Sequence, residues 1–199
     1  MARSPEPHST VSSSDLGTAL SDLRGALGAL DGRYMLIGGL AVVLRGFPRH
    51  TDDIDIAVLG AEASASKLAG LLDAGGFEPR IEDAVAFAEQ SLVLLYRHSG
   101  TGIDVDVSLA FLPFEQEAIA NAQHLDVEGT DLPVARVEDL LVYKAVAFRE
   151  RDQRDIRELL LLHRDHLDLD RVRRIVGEFA DAMEDPERLS ALERLIAET

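Results

Sequence analysis

Two short acidic motifs in this sequence have the spacing of a metal site. Asp53 and Asp55 stand two residues apart in a run of apolar residues. Asp104 and Asp106 repeat the same spacing further along the chain. Side chains two apart on a strand point to one face, so each pair would present both carboxylates together while its apolar neighbours face the core. Carboxylates held in this way could share a divalent cation and serve phosphoryl transfer.

A pair of glycines precedes the first acidic motif. The apolar run Arg33 to Ile37 predicts a strand, Gly38 and Gly39 follow it, and a helix is predicted from Leu40 to Leu44. Glycines at the start of a helix would let a polyphosphate approach the backbone N–H groups, because no Cβ stands in the way. A glycine turn and an acidic strand edge are each common, but together at this spacing they favour a binding site.

The remaining pattern predicts the elements that position these motifs. Leu92 to Tyr96 and the alternating run Ile103 to Val107 are separated by a glycine-containing turn, which predicts a β-hairpin. A further strand pair is expected around residues 125–127 and 132–134. Phe77–Ile81 predicts a short strand, and the segment Asp83–Gln90 is ambiguous. Apolar residues at helical spacing predict helices at residues 14–30, Ala63–Ala74, Phe114–Ala122, Glu138–Phe148, Asp152–His163, Leu169–Met183 and Pro186–Ala197.

The composition indicates a globular chain with an acidic surface. Of its 199 residues, 46% are hydrophobic, which is enough for a substantial core. The formal net charge of −16 argues against broad electrostatic capture of nucleic acid. The absence of cysteine excludes disulfides and zinc–thiolate sites. No apolar run approaches the roughly 18 residues of a membrane span, and no signal peptide is evident, so we expect a cytoplasmic protein.

These observations predict an α/β (α+β) fold with a small mixed β-sheet, flanking helices and a C-terminal helical part. Residues 1–13 are rich in Ser and Pro and predict a disordered leader. Residues 14–136 would form the core that carries the acids, and residues 137–199 the helical part.

The order of the motifs resembles the nucleotidyltransferase superfamily. Its signature is an apolar residue, a glycine pair, about a dozen residues, and Asp-apolar-Asp. Here thirteen residues separate Gly39 from Asp53-Ile54-Asp55. The wider pattern is similar to the AbiEii/MenT group of bacterial toxin nucleotidyltransferases. Further matches extend it to about Leu160: Gly46, Arg49, Thr51, Val105-Asp106, Pro113-Phe114-Glu115, Glu138-Asp139-Leu140, Lys144, Arg151-Asp152 and Asp155.

The resemblance assigns roles to the acids. It implies that Asp53 and Asp55 bind Mg²⁺, as part of a two-ion site, and that Asp106 is the third carboxylate, which orients or deprotonates the attacking hydroxyl. Asp104 is the competing candidate for this third position. The distance along the chain from Asp106 to Pro113 fits the family pattern better, which favours Asp106.

Nucleotide contacts follow from the same resemblance. Gly38 and Gly39 would contact the triphosphate, and Lys144 would neutralise charge as pyrophosphate leaves. Asp155 would be the later acid, and one continuous helix would place it on the same face as Lys144; a turn between them would remove that argument. The alternative is that Lys144 is a solvated charge and that Asp155 belongs to surface ion pairs.

Two arginines near the glycine turn have alternative interpretations. Arg45 and Arg49 either contact phosphate or flank a loop, and the sequence slightly favours the loop.

The expected function is Mg²⁺-dependent transfer of a nucleoside monophosphate from a nucleoside triphosphate such as ATP to an acceptor hydroxyl. In the toxin group the acceptor is RNA, commonly the 3′ end of tRNA, and a separate antitoxin restrains the enzyme. A small molecule, as in antibiotic nucleotidyltransferases, is the second acceptor class. A non-catalytic module that binds a nucleotide or partner is the third interpretation. Retention of three mutually repelling acids argues against it, because without metal such a cluster destabilises the fold.

Overall fold

The computed structural model describes residues 12–60 and 64–199. The predicted leader, residues 1–13, lies outside these ranges except for its last two residues. Ser13 already belongs to the first helix, whose start is capped by the Ser12 side chain accepting from the N–H of Asp15.

The strands of the described ranges form one mixed sheet in the order β3-β4-β5-β2-β1-β7-β6. The two acidic motifs lie on β2 and β5, which are central neighbours. The strands are β1 Tyr34–Ile37, β2 Asp53–Leu59, β3 Phe77–Pro79, β4 Val93–His98, β5 Asp104–Ala110, β6 Gln123–Val127 and β7 Thr130–Val134.

Helices connect and cover these strands. Two 3₁₀ turns, at Leu27–Leu30 and Arg164–His166, each directly follow the end of a helix. The helices are α1 Ser13–Ala26, α2 Gly38–Leu44, α3 Ala65–Ala74, α4 Ala84–Ser91, α5 Pro113–Ala120, α6 Val137–Ala147, α7 Glu150–His163, α8 Leu169–Ala182 and α9 Glu187–Glu198.

The pairing of the strands confirms the α/β fold. β4 and β5 form the predicted antiparallel hairpin, and β6 pairs with β7 in the same way. β1 runs antiparallel to β2, whereas β2 and β5 run parallel. A parallel pair needs a long crossover, and here α3, β3, α4 and β4 supply it.

The two faces of β2 and β5 have different chemistry. Ile54, Ile56, Val105 and Val107 are fully buried in the hydrophobic core. The intervening aspartates lie on the other face and keep part of their surface exposed. The alternation expected from the sequence is therefore present, and it directs the acids away from the core.

A turn separates the two helices that carry Lys144 and Asp155, so the argument from one continuous helix does not apply. Lys144 and Asp155 do not share a continuous helix, because α6 ends at Ala147 and its C-cap residue Phe148 has a left-handed φ of 50°. Asp155 lies on α7, the next helix.

The ambiguous segment around residues 83–90 is a helix, α4. Among the described residues, no helix has the length and apolar character needed to cross a bilayer.

Candidate active site

The four acids lie side by side at the start of two parallel strands. Asp53 pairs in register with Asp104, and Asp55 with Asp106. Neighbouring strands lie about 4.8 Å apart, so each aspartate of β2 stands beside one of β5 on the same face. The sheet thus brings together the acids that the sequence predicted, and both candidates for the third carboxylate lie in this group.

The glycine pair lies against this acidic group. Ile37, the last residue of β1, pairs in register with Asp55, so the glycines begin next to its side chain. Gly38 has a φ of 67°, and a Cβ at this position would collide with Asp55 Oδ2. The Gly39 N–H donates to the same Oδ2 at 3.4 Å. The two glycines therefore permit the approach of a carboxylate as well as the turn into α2.

The Asp55 carboxyl holds its proton more tightly than usual. Burial is the largest cause, and repulsion by Asp53 and Asp106 adds to it, so the pKa of Asp55 rises to about 6. The Gly39 N–H and the Lys144 ammonium oppose this rise. Burial also raises the pKa of Asp106, against the nearby Arg80 guanidinium. The group is electrostatically unfavourable when fully ionised, and added positive charge would relieve it.

Two arginines that the sequence analysis did not single out contact the acids of β5. Arg80 bridges both carboxylates, with Nη1 2.8 Å from Asp104 Oδ2 and Nη2 in close contact with Asp106 Oδ1. Arg97 Nε lies 2.6 Å from Asp104 Oδ1. Asp104 thus has two cationic partners and Asp106 has one. The other oxygen of Asp106 has no hydrogen-bond donor in the described ranges.

One of these arginines could have been found from the sequence. Arg97 stands opposite Asp104 in the predicted hairpin, and directly opposed side chains of opposite charge pair readily. Arg80 gave no such signal, since it follows β3, a strand of three residues whose place beside β4 is set by the tertiary fold.

A polar cavity of about 150 Å³ opens beside the acids of β2. It is lined by Gly39, Asp52, Asp53, Asp55, Thr51, Arg49, His50, Lys144 and Arg151. The Thr51 hydroxyl donates to Asp53 Oδ1 at 3.1 Å, which fixes that side chain at the cavity wall. Gly39 contributes to the lining and Gly38 does not, because Gly38 packs against Asp55 instead.

The cavity is backed by a buried ion network between α6, α7 and the loop before β2. Lys144 Nζ lies 3.1 Å from Asp152 Oδ1 and 2.9 Å from Asp155 Oδ2. Arg49 Nε lies 3.0 Å from Asp155 Oδ1, and Arg49 Nη2 donates to Oδ2 at 3.2 Å. Asp155 is only 1% exposed. The two residues predicted to act together do meet, across a helix break rather than along one helix.

The arginines of the loop have different surroundings. Arg45 donates to the backbone carbonyls of Val134 and Ala135, which ties the end of α2 to β7. Arg49 lines the cavity. Arg45 therefore fits the interpretation of a residue that flanks the loop, whereas Arg49 lies where phosphate could bind.

The acids fit a divalent cation, although they are not arranged as a finished metal site. Asp53 and Asp55 offer hard oxygen ligands and make no ion pair within residues 12–60 and 64–199. Burial, with repulsion from Asp53 and Asp106, raises the pKa of Asp55, and a bound cation would oppose that rise. In the same ranges, no group of three His, Cys, Asp or Glu side chains already has the arrangement of a metal site. Arg80 occupies one oxygen of Asp106, the predicted third ligand.

The sheet, the glycine turn and the paired acids together define a nucleotidyltransferase fold. The chain belongs to the family described as "Nucleotidyltransferase of unknown function (DUF6036)", which it matches over residues 15–196. No protein of curated function matches it. The likeness to the toxin group in particular stays a prediction.

Solved structures share the fold at low sequence identity. The antigenic nucleotidyltransferase-like protein from Paracoccidioides brasiliensis is 21% identical with a TM-score of 0.55, over 92% of this chain and 94% of that one. A putative nucleotidyltransferase from H. pylori is 16% identical with a TM-score of 0.53, over 96% and 94%. The antibiotic-resistance factor ANT(2'')-Ia is 18% identical with a TM-score of 0.53, over 85% and 95%.

Proposed function

We propose that this chain transfers a nucleoside monophosphate from a nucleoside triphosphate to an acceptor hydroxyl and releases pyrophosphate. The observation that carries the proposal is the register of β2 and β5, which sets Asp55 beside Asp106. The adjoining cavity, lined by Gly39 and Lys144, supports a phosphate site next to these acids. Membership of a nucleotidyltransferase family supports the same reaction class.

Asp53 and Asp55 would hold Mg²⁺, with Asp106 as the third ligand. Bound there, the divalent cation would offset the charge of the phosphates and of the acids themselves. Asp106 also lies where it could accept the proton of the attacking hydroxyl, and burial, which raises its pKa, makes it a stronger base than an ordinary aspartate. The Asp106 oxygen that accepts no hydrogen bond within the described ranges would take this proton, while Arg80 binds the other oxygen.

The hydroxyl oxygen would form a bond to the α-phosphorus as the bond from that phosphorus to the bridging oxygen of pyrophosphate breaks. Lys144 would stabilise the negative charge that develops on the departing pyrophosphate. Asp155 would act on the nucleotide through Lys144 and Arg49, because it is buried and both its oxygens already contact these cations. Gly39 would contact the phosphates, and Gly38 would support the site by making room for Asp55.

Two acceptor classes have separate support. The toxin resemblance favours RNA, in particular the 3′ end of tRNA, with an antitoxin as partner. The net charge of −16 favours a small cationic acceptor. The structural neighbour ANT(2'')-Ia, 18% identical with a TM-score of 0.52 over 83% of this chain, is described in complex with adenylyl-2''-tobramycin.

Incubation with each labelled ribonucleoside triphosphate and Mg²⁺ tests the proposal, with total tRNA or a panel of aminoglycosides as acceptor. We expect labelled product with one acceptor class and pyrophosphate release that stops in chelator. The Asp53→Asn, Asp55→Asn double variant should be inactive. Asp106→Asn should lose about 10²-fold or more in rate, as expected for a general base.

Asp104→Asn is the matched control for Asp106→Asn, since it removes a carboxylate from the same strand and the same face. It should retain most of the activity. Equal losses in the two variants would contradict the assignment of the third acid to Asp106. Nucleotide binding without transfer to either acceptor class would favour a non-catalytic module over the enzyme.

A further inference from the structure

Three cationic side chains line the cavity, but two of them are already neutralised. Lys144 contacts Asp152 and Asp155, and Arg49 contacts Asp155. Both aspartates are nearly inaccessible, at 2% and 1% exposure. Two buried carboxylates therefore balance two cations. This network shapes the cavity and provides hydrogen-bond donors, but it adds no net positive charge.

The third cation, Arg151, is different. It lines the same cavity from the second residue of α7, and it is exposed. Throughout residues 12–60 and 64–199, it has no ion pair or hydrogen bond from its side chain. A guanidinium group carries five donors in a planar fork that matches phosphate oxygens. Its charge is therefore available to an anionic ligand.

We propose that Arg151 binds the terminal phosphate of the nucleoside triphosphate and so selects triphosphates over diphosphates and monophosphates. This inference rests on the proposed function. The cavity of about 150 Å³ is smaller than the roughly 300 Å³ and more of pockets that enclose whole ligands, so it suits the phosphate chain rather than the nucleoside. Lys144 is buried near Asp55, whereas Arg151 lines the same cavity and is exposed to solvent. The phosphate furthest from the attacked phosphorus would reach Arg151.

Calorimetric titration of the acceptor-free protein in Mg²⁺ tests this role. ATP, GTP, CTP and UTP are titrated first, and the tightest of them is then compared with its diphosphate and monophosphate. In Arg151→Gln, the affinity for the triphosphate should fall about tenfold or more, as expected for the loss of a charge-assisted hydrogen bond. The affinity for the diphosphate should fall less, and that for the monophosphate should stay the same. Arg151→Lys should recover part of the loss.

Arg157→Gln is the matched control. It removes the same charge from the same helix, where Arg157 pairs with Glu198 and does not line the cavity. It should bind all three nucleotides like the wild type. Both variants should melt like the wild type, because Arg151 is exposed and Arg157 is partly exposed and makes only a surface ion pair with Glu198.

The outcomes separate this inference from the proposed function. If the wild type binds none of the four triphosphates, the proposed function is wrong. If the wild type binds a triphosphate and Arg151→Gln binds it equally well, only the role of Arg151 is wrong. If Arg151→Gln loses the same factor in affinity for the triphosphate, diphosphate and monophosphate, the selection of the terminal phosphate is overturned. An equal loss of affinity in Arg157→Gln would overturn it too.

Discussion

At position 38, the backbone and the acidic group both require glycine. A φ of 67° strains any residue with a Cβ, and the Cβ would also collide with the Asp55 carboxylate. The sequence identified the glycine pair, but for another reason, the approach of phosphate. The packing of Gly38 on Asp55 depends on the register between β1 and β2, which the sequence alone does not contain.

Gly38→Ala should therefore destabilise the protein. The left-handed backbone alone costs about 1 kcal/mol, and displacement of Asp55 should add to the loss of unfolding free energy. The measurement is urea unfolding in chelator. Gly70→Ala is the control, because Gly70 lies inside α3, where an added Cβ would meet no atom within 4 Å, and it should gain up to about 1 kcal/mol from helix propensity. A Gly38→Ala protein as stable as Gly70→Ala would contradict the collision at Gly38.

The raised pKa of Asp55 predicts a pH dependence of stability in the metal-free protein. The folded-state pKa of about 6 exceeds the ordinary value of 3.8, so the folded state binds the proton more tightly than the unfolded state. The resulting stabilisation is fully present below pH 3.8 and is lost as the pH rises through about 6. Between about pH 5 and pH 8 the contribution of Asp55 should fall by roughly 1–1.5 kcal/mol.

Asp55→Asn provides the comparison, because it removes the titration and keeps an oxygen that can accept from Gly39. In chelator, the unfolding free energy of the wild type should fall relative to this variant as the pH rises from about 5 to 8. A difference between the two proteins that stays constant with pH would show that Asp55 titrates in the folded state as it does in the unfolded state.

At the scale of elements, the periodic patterns predicted most of the strands and helices, because each buries one face. The β4–β5 hairpin and the helices after residue 136 are confirmed, with shifts of a few residues at their ends. The break between α6 and α7 lies where the sequence predicts it, between helices expected to end at Phe148 and to begin at Asp152, although Phe148 adopts a left-handed backbone without being a glycine. The contact of Arg80 with the acids could not be predicted, because it depends on the order of strands β3, β4 and β5.

Asp155 joins three elements at the cavity. From α7, it contacts Lys144 of α6 and Arg49 of the loop before β2. Asp155→Asn should leave these buried cations with too little negative charge, and we expect a loss of about 3 kcal/mol in unfolding free energy. It should also weaken triphosphate binding and slow transfer, because the two cations would no longer be held in place.

Thermal unfolding and transfer kinetics of Asp155→Asn measure both effects. Asp165→Asn is the control, since Asp165 is exposed in the 3₁₀ turn after α7 and should change neither quantity measurably. Asp155→Glu should fold better than Asp155→Asn, because it keeps the charge. Normal stability in Asp155→Asn would mean that the ion network does not hold α7 to the site.

The charge of the whole molecule predicts that nucleotide binding depends on metal. The chain has a formal net charge of −16, and the cavity repeats this imbalance locally. Three of its lining residues are aspartates and three are Arg or Lys, with the buried Asp152 and Asp155 behind them. A triphosphate would thus meet net negative charge, so we expect no binding in chelator.

Melting curves of the wild type and the Asp53→Asn, Asp55→Asn variant test this expectation. A ligand that binds only the folded state at about 100-fold over its Kd stabilises by about 2.7 kcal/mol. For a chain of this size, that is a rise of roughly 5–10 °C in Tm. The wild type should show this rise with Mg²⁺ plus triphosphate and none with triphosphate in chelator.

The double variant should begin with a Tm in chelator equal to or above that of the wild type, because the repulsion between its acids is gone. It should then gain almost nothing from Mg²⁺ plus triphosphate and should show no transfer. Since the variant keeps Lys144, Arg49 and Arg151, a loss of the Tm shift would come from the missing carboxylates rather than from missing cations. Equal ligand-induced shifts in the two proteins would mean that Asp53 and Asp55 do not hold the metal.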